Sequence, residues 1–144
     1  MDIREQIRER LGPQIIDWKE KSSRRIYFSV KTQDVFKAVE FLFKELGLRF
    51  SIASGVDTPE GFEILYHFSC DKTGEIFSLR TLIADRQHPQ IDSIAPLFSG
   101  AEWVEREMWE MLGINFKGHP NLKRLLLADD WPEGKYPLRQ DHEP

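Results

Sequence analysis

The strongest constraint on the fold is a pair of alternating segments in the middle of the chain. Over residues 62–68, aromatic and aliphatic side chains occupy every second position. A period of two is typical of a strand with one buried face. The turn-forming residues 71–74 separate this segment from a second alternating segment, residues 75–84. Together they predict a β-hairpin, so the fold must contain antiparallel strands.

Helical patterns occur on both sides of this hairpin. Asp2 and Glu5 have the spacing of a capping box in front of a short helix. A second helical stripe of apolar residues covers residues 35–46. A third helix is predicted over residues 101–112, with its end at Gly113, because glycine commonly follows the last turn of a helix.

Two shorter segments, residues 26–30 and 50–52, also have strand-like patterns. The predicted order is therefore a helix followed by β-α-β-β-β-α. This order favours an α+β domain, in which helices pack on one face of a mostly antiparallel sheet. We predict a single domain over residues 1–118, followed by an extended, irregular, partner-binding tail over residues 119–144.

The predicted tail combines prolines with large apolar residues. Its prolines exclude a long helix or strand. Yet residues 125–127 are leucines, and Trp131 and Tyr136 follow, whereas a disordered segment is normally poor in such residues. They need a surface to lie on, which either the chain's own domain or a partner protein can provide. We predict that the tail lies across a partner subunit and is mobile in the isolated chain.

Composition limits the partners of this chain. It has 144 residues, with 24 acidic and 20 basic side chains and a formal net charge of -4. This balance argues against nucleic acid as a main partner. An apolar run of about 18 residues is absent from the sequence, so we expect no direct membrane span. Cys70 is the single cysteine, which excludes an internal disulfide.

The sequence lacks the patterns that hold cofactors. Its histidines are not spaced as metal ligands, either among themselves or relative to Cys70. Glycine motifs for dinucleotides or phosphates are missing, and one thiol cannot hold an iron–sulfur cluster. We therefore expect neither a metal nor a cofactor, and no catalytic residue, in this chain. The four histidines are His67, His88, His119 and His142.

The densest group of charges on a predicted helix is Glu105-Arg106-Glu107. Three interpretations are open: a solvated helix face with weak ion pairs, charges paired with another chain, or acid–base catalysis by the two carboxylates. Glu102 and Glu110 stand one helical turn from Arg106 on either side, which predicts intrahelical ion pairs. A stand-alone acid–base enzyme is the weakest interpretation, because neither a nucleophile nor a cofactor motif accompanies the carboxylates.

The same stretch resembles a known family. Glu105-Arg106-Glu107 is followed by Trp109-Glu110, Leu112-Gly113-Ile114, Gly118-His119-Pro120 and Lys123-Arg124-Leu125. Leu65-Tyr66-His67, Trp103, Asp130-Trp131 and Pro137-Leu138-Arg139 support the match. This ordered set resembles the signature of the family of NADH:quinone oxidoreductase C subunits, whose members belong to the peripheral arm of respiratory complex I and its relatives.

The resemblance implies a cofactor-free structural subunit of the hydrophilic arm, peripheral on the cytoplasmic side of the membrane. It would dock on the quinone-site subunit, which resembles a hydrogenase large subunit, and on the adjacent iron–sulfur small subunit. The iron–sulfur clusters, and a flavin or a nickel–iron site, would belong to partner subunits. The alternative parent is a membrane-bound nickel–iron hydrogenase related to complex I. The resemblance assigns the following residues to the partner interface: Glu105, Arg106, Glu107, Trp109, His119, Arg124, Trp131 and Arg139.

Overall fold

The computed structural model describes residues 1–141, which form three α-helices and seven strands. His142 and the rest of residues 142–144, at the end of the predicted tail, lie outside the described residues. A π-helical turn, Phe41–Glu45, continues the second helix. In chain order the elements are α1 (Ile3–Leu11), β1 (Asp17–Ser22), β2 (Arg25–Ser29), α2 (Val35–Glu40), β3 (Arg49–Thr58), β4 (Gly61–Cys70), β5 (Glu75–Ile83), β6 (Gln90–Asp92), α3 (Ala101–Leu112) and β7 (Asn115–Lys117).

Five strands form a mixed sheet in the order β1-β2-β5-β4-β3. β1 and β2 are antiparallel, whereas β2 and β5 are parallel, with Phe28 opposite Leu79. Residues 59–60 join β3 to β4, and residues 71–74 join β4 to β5. Connections this short are possible only between antiparallel neighbours. β6 and β7 form a separate parallel pair.

The predicted α+β class is confirmed, and the local signals at the helix ends are accurate. Asp2 Oδ1 accepts a hydrogen bond from the Glu5 N–H at 2.8 Å, as a capping box requires. The predicted hairpin corresponds to β4 and β5. The sequence prediction missed β1, β6 and β7. β1 is an edge strand with mostly exposed side chains, so it lacks the apolar alternation by which a strand is recognised.

The chain forms two compact units. The first comprises Met1–Ile52 and Leu65–Thr81, and the second comprises Ala53–Ile64 and the residues from Leu82 onward. The predicted division at residue 118 remains a prediction. Large buried residues of the first unit include Ile7, Ile26, Phe28, Leu42, Tyr66, Phe68, Phe77 and Leu79. Those of the second unit include Phe62, Ile64, Ile94, Met108, Leu112, Ile114 and Phe116.

Candidate functional site

Helix α3 of the second unit carries four of the eight predicted interface residues. It ends at Gly113, whose φ of +82° is left-handed and whose N–H donates to the Trp109 carbonyl at 2.8 Å. Along the helix, a buried stripe recurs every three or four residues, as expected for a face that packs on a core. The stripe consists of Ala101, Glu105, Met108 and Leu112. Glu105 thus occupies a core position.

Glu105 is fully buried and makes two hydrogen bonds to the loop before α3. Its Oε1 accepts from Ser93 Oγ at 2.5 Å, and its Oε2 accepts from the Ile94 N–H at 2.9 Å. Ser93 Oγ in turn accepts from the Ala95 N–H at 3.0 Å. Burial raises the pKa of Glu105 to about 7, although these hydrogen bonds favour the ionised form and oppose the shift. The predicted solvated face is therefore wrong for this residue.

Glu110, only 3% exposed, binds the backbone of the leucine triplet. Its Oε1 accepts from the N–H groups of Leu125, Leu126 and Leu127 at 2.8, 3.0 and 2.9 Å. Its Oε2 accepts from the Leu126 N–H at 2.9 Å. Three consecutive N–H groups that converge on one carboxylate form an anion nest. Glu110 therefore holds this irregular segment against α3.

Arg106 binds the same segment through its carbonyl groups. Nε donates to the Lys123 carbonyl at 2.9 Å, and Nη2 donates to the Arg124 carbonyl at 2.6 Å. The guanidinium also stacks over the Trp103 ring, 5.4 Å from its centroid. The predicted pairing of Arg106 with the carboxylates one turn away is therefore wrong. The irregular segment has backbone groups without strand or helix partners, and these attract the side chains of α3.

Three side chains of the tail hydrogen-bond to backbone carbonyls and so fix its turns. They belong to His119, Arg124 and Trp131. His119 Nε2 donates to the Glu102 carbonyl at 3.1 Å, and its Nδ1 accepts from the Asn121 N–H at 3.0 Å. Trp131 Nε1 donates to the Lys135 carbonyl at 2.8 Å. The guanidinium of Arg124 donates to the carbonyls of Ala128, Asp129 and Trp131.

The far end of the described tail is attached to the C-terminus of α3. Arg139 Nε donates to the Leu112 carbonyl at 2.6 Å, and the Leu138 N–H donates to the Met111 carbonyl at 3.0 Å. The Arg139 guanidinium lies 5.0 Å from the ring centroid of Phe62 and 4.7 Å from that of Tyr136. Each ring face attracts the cation.

A buried carboxylate on β3 holds the next residue of the tail. Asp57 Oδ2 accepts from the Gln140 N–H at 2.9 Å, and the Asp57 carbonyl accepts from Gln140 Nε2 at 2.8 Å. Arg86 pairs with the same carboxylate at 2.6 Å. The described tail is thus hydrogen-bonded to its own unit, whereas its mobility in the isolated chain stays a prediction. Binding of a partner by its outer side stays a prediction.

The predicted interface residues divide into two groups. Glu105, Arg106 and Arg139 are bound to groups of their own unit, as are His119 and Arg124. The second group contains the exposed Glu107 and the half-buried Trp109, whereas half-buried Trp131 belongs to the first group through its hydrogen bond to the Lys135 carbonyl. Trp109 and Trp131 line a cavity of about 310 Å³ together with Glu110, Leu127 and Tyr136. Their assignment to a partner interface stays a prediction.

Sequence reasoning missed Ser93, Glu110 and Asp57 as anchors of this site. One signal for a buried carboxylate was present in the sequence. Glu105 lies four residues after Ala101 and three before Met108, which places it on their side of the helix. Glu110 has no comparable signal, because its partners are backbone N–H groups, and spacing does not reveal which carboxylate they will bind.

The two carboxylates proposed for acid–base work are separated by the helix itself. Residues two apart in a helix point in different directions, so buried Glu105 and exposed Glu107 cannot face one substrate together. Within residues 1–141, no cluster of three or more His, Cys, Asp or Glu side chains is arranged to hold a metal ion. The helices of this described part are all too short or too polar to cross a membrane.

Comparison with known proteins identifies the family. Residues 28–144 match the model of the 30 kDa subunit of the respiratory-chain NADH dehydrogenase. The chain belongs to this 30 kDa subunit family. The match includes α3 and the described tail, together with α2 and the strands β3, β4 and β5.

Relatives of the 30 kDa subunit family occur in different complexes. The chain is 34% identical to the C subunit of the NADH-quinone oxidoreductase of Chloroherpeton thalassium over 142 residues, which cover 95% of this chain and 58% of that protein. It is 40% identical to the C subunit of the F(420)H(2) dehydrogenase of Methanosarcina mazei over 92 residues, which cover 62% of this chain and 57% of that protein. The chain therefore spans less than two thirds of the length of these two curated relatives.

A solved structure shows the same fold over nearly the whole chain. A chain of the membrane-bound sulfane sulfur reductase, an archaeal respiratory membrane complex, superposes with a TM-score of 0.83 at 25% identity. The superposition covers 98% of this chain and 84% of that chain. The fold of this chain is thus shared with that chain over both units.

Glu105→Gln is expected to flatten the pH dependence of stability. The folded-state pKa of about 7 lies above the ordinary value of 4.5, so the folded state binds this proton more tightly than the unfolded state. The stability that this tighter proton binding gives the folded state is fully present below about pH 4.5 and is lost as the pH rises through about 7. It amounts to a contribution to the free energy of unfolding on the order of 3 kcal/mol. Urea unfolding across this range measures it, with exposed Glu107→Gln as the control. If the free energy of unfolding of Glu105→Gln fell with pH as steeply as that of the wild-type chain, the raised pKa assigned to Glu105 would be contradicted.

Gly113→Ala is expected to loosen the tail in the isolated chain. Gly113 and Gly118 share a φ of +82°, so an alanine at either position adds about 1–2 kcal/mol of backbone strain. A Cβ at Gly113 would also lie 2.6 Å from Tyr136 Cε2 and 2.7 Å from Arg139 Nη2, whereas nothing lies within 4 Å at Gly118. Gly113→Ala should therefore lower the free energy of unfolding by about 1–3 kcal/mol more than Gly118→Ala. Equal losses would mean that the tail does not pack on α3.

Proposed function

We propose that this chain is a non-catalytic structural subunit in the hydrophilic arm of a complex I-type NADH:quinone oxidoreductase. It docks on the quinone-site subunit and on the adjacent iron–sulfur small subunit, on the cytoplasmic side of the membrane. It supports electron transfer from NADH to quinone coupled to ion translocation, without taking part in the chemistry. Membership of the 30 kDa subunit family supports this role.

The observation that carries the proposal is a set of exposed apolar side chains on α3 and its tail. Trp103, Leu126 and Leu138 are 60%, 63% and 57% exposed. Arg106 stacks on Trp103, Glu110 holds the Leu126 N–H, and the Leu138 N–H is bound to the end of α3. Their positions are therefore fixed before any partner arrives, which lowers the entropic cost of binding.

These three side chains suit the centre of a protein interface. Burial of each contributes about 1.5–3 kcal/mol, and aromatic anchors commonly dominate binding energy. Exposed Glu107, one turn after Trp103, can contribute a charge at the rim of this surface. The internal anchors Glu105 and Glu110 act indirectly, because they hold the helix and the leucine triplet in place.

The cofactors are proposed to lie in partner subunits. Iron–sulfur clusters, and a flavin or a nickel–iron site, need thiolate ligands or nucleotide-binding loops that this sequence does not offer. The buried carboxylate of Glu105 accepts hydrogen bonds from Ser93 Oγ and the Ile94 N–H, which leaves it unavailable to a substrate. The geometry therefore favours a structural role over a stand-alone acid–base enzyme.

The range of relatives supports more than one kind of parent complex for this family. The chain resembles a subunit of an F(420)H(2) dehydrogenase and a chain of an archaeal sulfane sulfur reductase, besides the NADH-quinone oxidoreductase subunits. The same structural role in a membrane-bound nickel–iron hydrogenase related to complex I is the alternative. Purification of the intact complex distinguishes the two, because an NADH-binding flavoprotein accompanies the first parent and a nickel-containing subunit accompanies the second.

Trp103→Ala combined with Leu126→Ser is expected to block assembly while leaving the isolated chain folded. Both side chains are exposed, so their removal should shift the melting temperature of the lone subunit by little. Arg106→Ala is the comparison, because loss of its two hydrogen bonds should lower the stability of the lone subunit by about 1–3 kcal/mol.

The two readouts are the melting temperature of the purified chain and the fraction of the chain incorporated into the membrane complex. Ile52→Ser, at an exposed apolar residue of the first unit, is the matched control. Normal incorporation of the double variant would refute docking through α3 and its tail. Bound iron, nickel or flavin in the purified chain would refute the non-catalytic role.

A further inference from the structure

Nine alternate positions on three neighbouring strands form one face of the sheet in the first unit. Lys19 is opposite Tyr27 on the antiparallel β1–β2 pair, and Tyr27 is level with Ser78 on the parallel β2–β5 pair. Side chains paired in this way point to the same side of a sheet. Eight of the positions are Asp17 and Lys19 on β1, Arg25, Tyr27 and Ser29 on β2, and Ile76, Ser78 and Arg80 on β5. The ninth is Lys21, which lies at a bulge of β1 without a register partner and is placed on this face by its contact with the Tyr27 ring.

This face carries more cations than anions. Lys19, Lys21 and Arg25 are exposed, and Asp17 is the one acidic side chain among the nine. Lys21 Nζ lies 5.1 Å from the centroid of the Tyr27 ring. Within residues 1–141, neither Lys19 nor Arg25 has a carboxylate within ion-pair distance. The aromatic ring thus stands at the centre of a positively charged surface.

Apart from Asp17, the acidic side chains of the same strands point to the opposite side. Glu20 and Glu75 both pair with Arg4 of α1, and Arg4 Nε lies 2.6 Å from Glu75 Oε2. Trp18 stacks on Phe28 on this second side, with ring centroids 5.6 Å apart. The sheet therefore separates charge, because Glu20 and Glu75 lie on the α1 side, whereas exposed bases lie on the other side. The whole chain, by contrast, has a net charge of -4.

We propose that the cationic face, defined by Lys19, Lys21, Arg25 and Tyr27, docks on an acidic surface of a neighbouring protein subunit. Charge complementarity supports this partner, because exposed bases gain carboxylate partners on docking. Tyr27 supplies a half-buried aromatic anchor between them. The inference rests on the proposed function only in that the chain belongs to a multi-subunit assembly. It concerns a surface of the first unit that excludes α3 and the tail.

A different role explains part of this pattern. Lysines on an edge strand prevent pairing with other sheets, and β1 is an edge strand. This role accounts for Lys19 and Lys21 but not for Arg25, which lies on the inner strand β2. An anionic membrane or a nucleic acid would also attract bases. The net negative charge of the chain opposes both, since their charge extends well beyond the cationic face.

Reversing the charge of two lysines distinguishes docking on a partner from the prevention of pairing between the edge strand and other sheets. Lys19→Glu with Lys21→Glu keeps charged residues on the edge strand, so protection persists, but it repels an acidic partner. We expect the isolated double variant to remain monomeric with an unchanged melting temperature, and its incorporation into the complex to fall on the order of tenfold. Lys31→Glu with Lys37→Glu, at two positions of the same unit outside the cationic face, is the matched control and should incorporate normally.

Carbodiimide coupling in the wild-type complex gives a second test that requires no variant. The reagent joins a lysine amine to a contacting carboxylate as an amide, with loss of water. We expect peptides that contain Lys19 or Lys21 to be joined to Asp or Glu of another subunit, and peptides with Lys31 or Lys37 to remain uncoupled. Normal incorporation of the charge-reversed chain, or equal coupling of the four lysines, would overturn the inference.

A third measurement distinguishes the other partners. The isolated chain is mixed with phosphatidylserine vesicles or with duplex DNA, and we expect no charge-dependent binding to either. Binding that Lys19→Glu with Lys21→Glu abolishes, without inter-subunit coupling, would replace the protein partner by a membrane or a nucleic acid. A wild-type chain that is absent from any complex would refute both this inference and the proposed function. Normal assembly of the charge-reversed chain would refute this inference alone.

Discussion

The second unit depends on hydrogen bonds between α3 and an irregular segment. In these bonds, polar groups of each part bind backbone groups of the other. A segment without helix or strand leaves its N–H and C=O groups without regular partners. Glu110 satisfies the N–H groups of the leucine triplet, and Arg106 satisfies the two carbonyls before it. In return, Leu138 and Arg139 bind the carbonyls that α3 leaves open at its C-terminus. A proline-rich segment can therefore hold a defined conformation without helix or strand, because these hydrogen bonds satisfy its backbone groups.

The same helix is attached to the preceding loop by a buried acid. A carboxylate in an apolar stripe destabilises the fold when it is ionised, and its hydrogen bonds offset only part of this effect. Glu105 tolerates the position because Ser93 and Ile94 donate to both of its oxygens. An apolar residue there would fill space without specifying where the loop must lie, whereas a carboxylate with two fixed donors allows only one arrangement. We take this specificity as the physical reason for an acid at the position.

Local signals predicted the three helices and four of the seven described strands, and long-range pairing limited the prediction. Alternation in β4 and β5, the Asp2 cap and the left-handed Gly113 all depend on neighbours in the sequence. The parallel pairing of β2 with β5 joins residues about fifty positions apart, with Ile26 opposite Phe77, and periodicity carries no information about it. At the site, spacing suggested that Arg106 pairs with acids of its own helix. Backbone groups of a distant segment compete for the same charges, and no spacing rule includes them.

A family signature can have two meanings: its residues can hold the fold, or they can contact partners. Residues by which a family is recognised need not be the residues that touch its partners. Both oxygens of Glu105, and Nε and Nη2 of Arg106, are hydrogen-bonded within the unit, so these residues affect a partner mainly through the surface that they hold in shape. Trp103 and Leu126 lie next to these anchors with exposed side chains and are the groups available for contact. The anchors therefore determine where the apolar side chains stand, and the apolar side chains provide the area that association buries. A substitution at an anchor weakens folding and docking together, because the same hydrogen bonds support both.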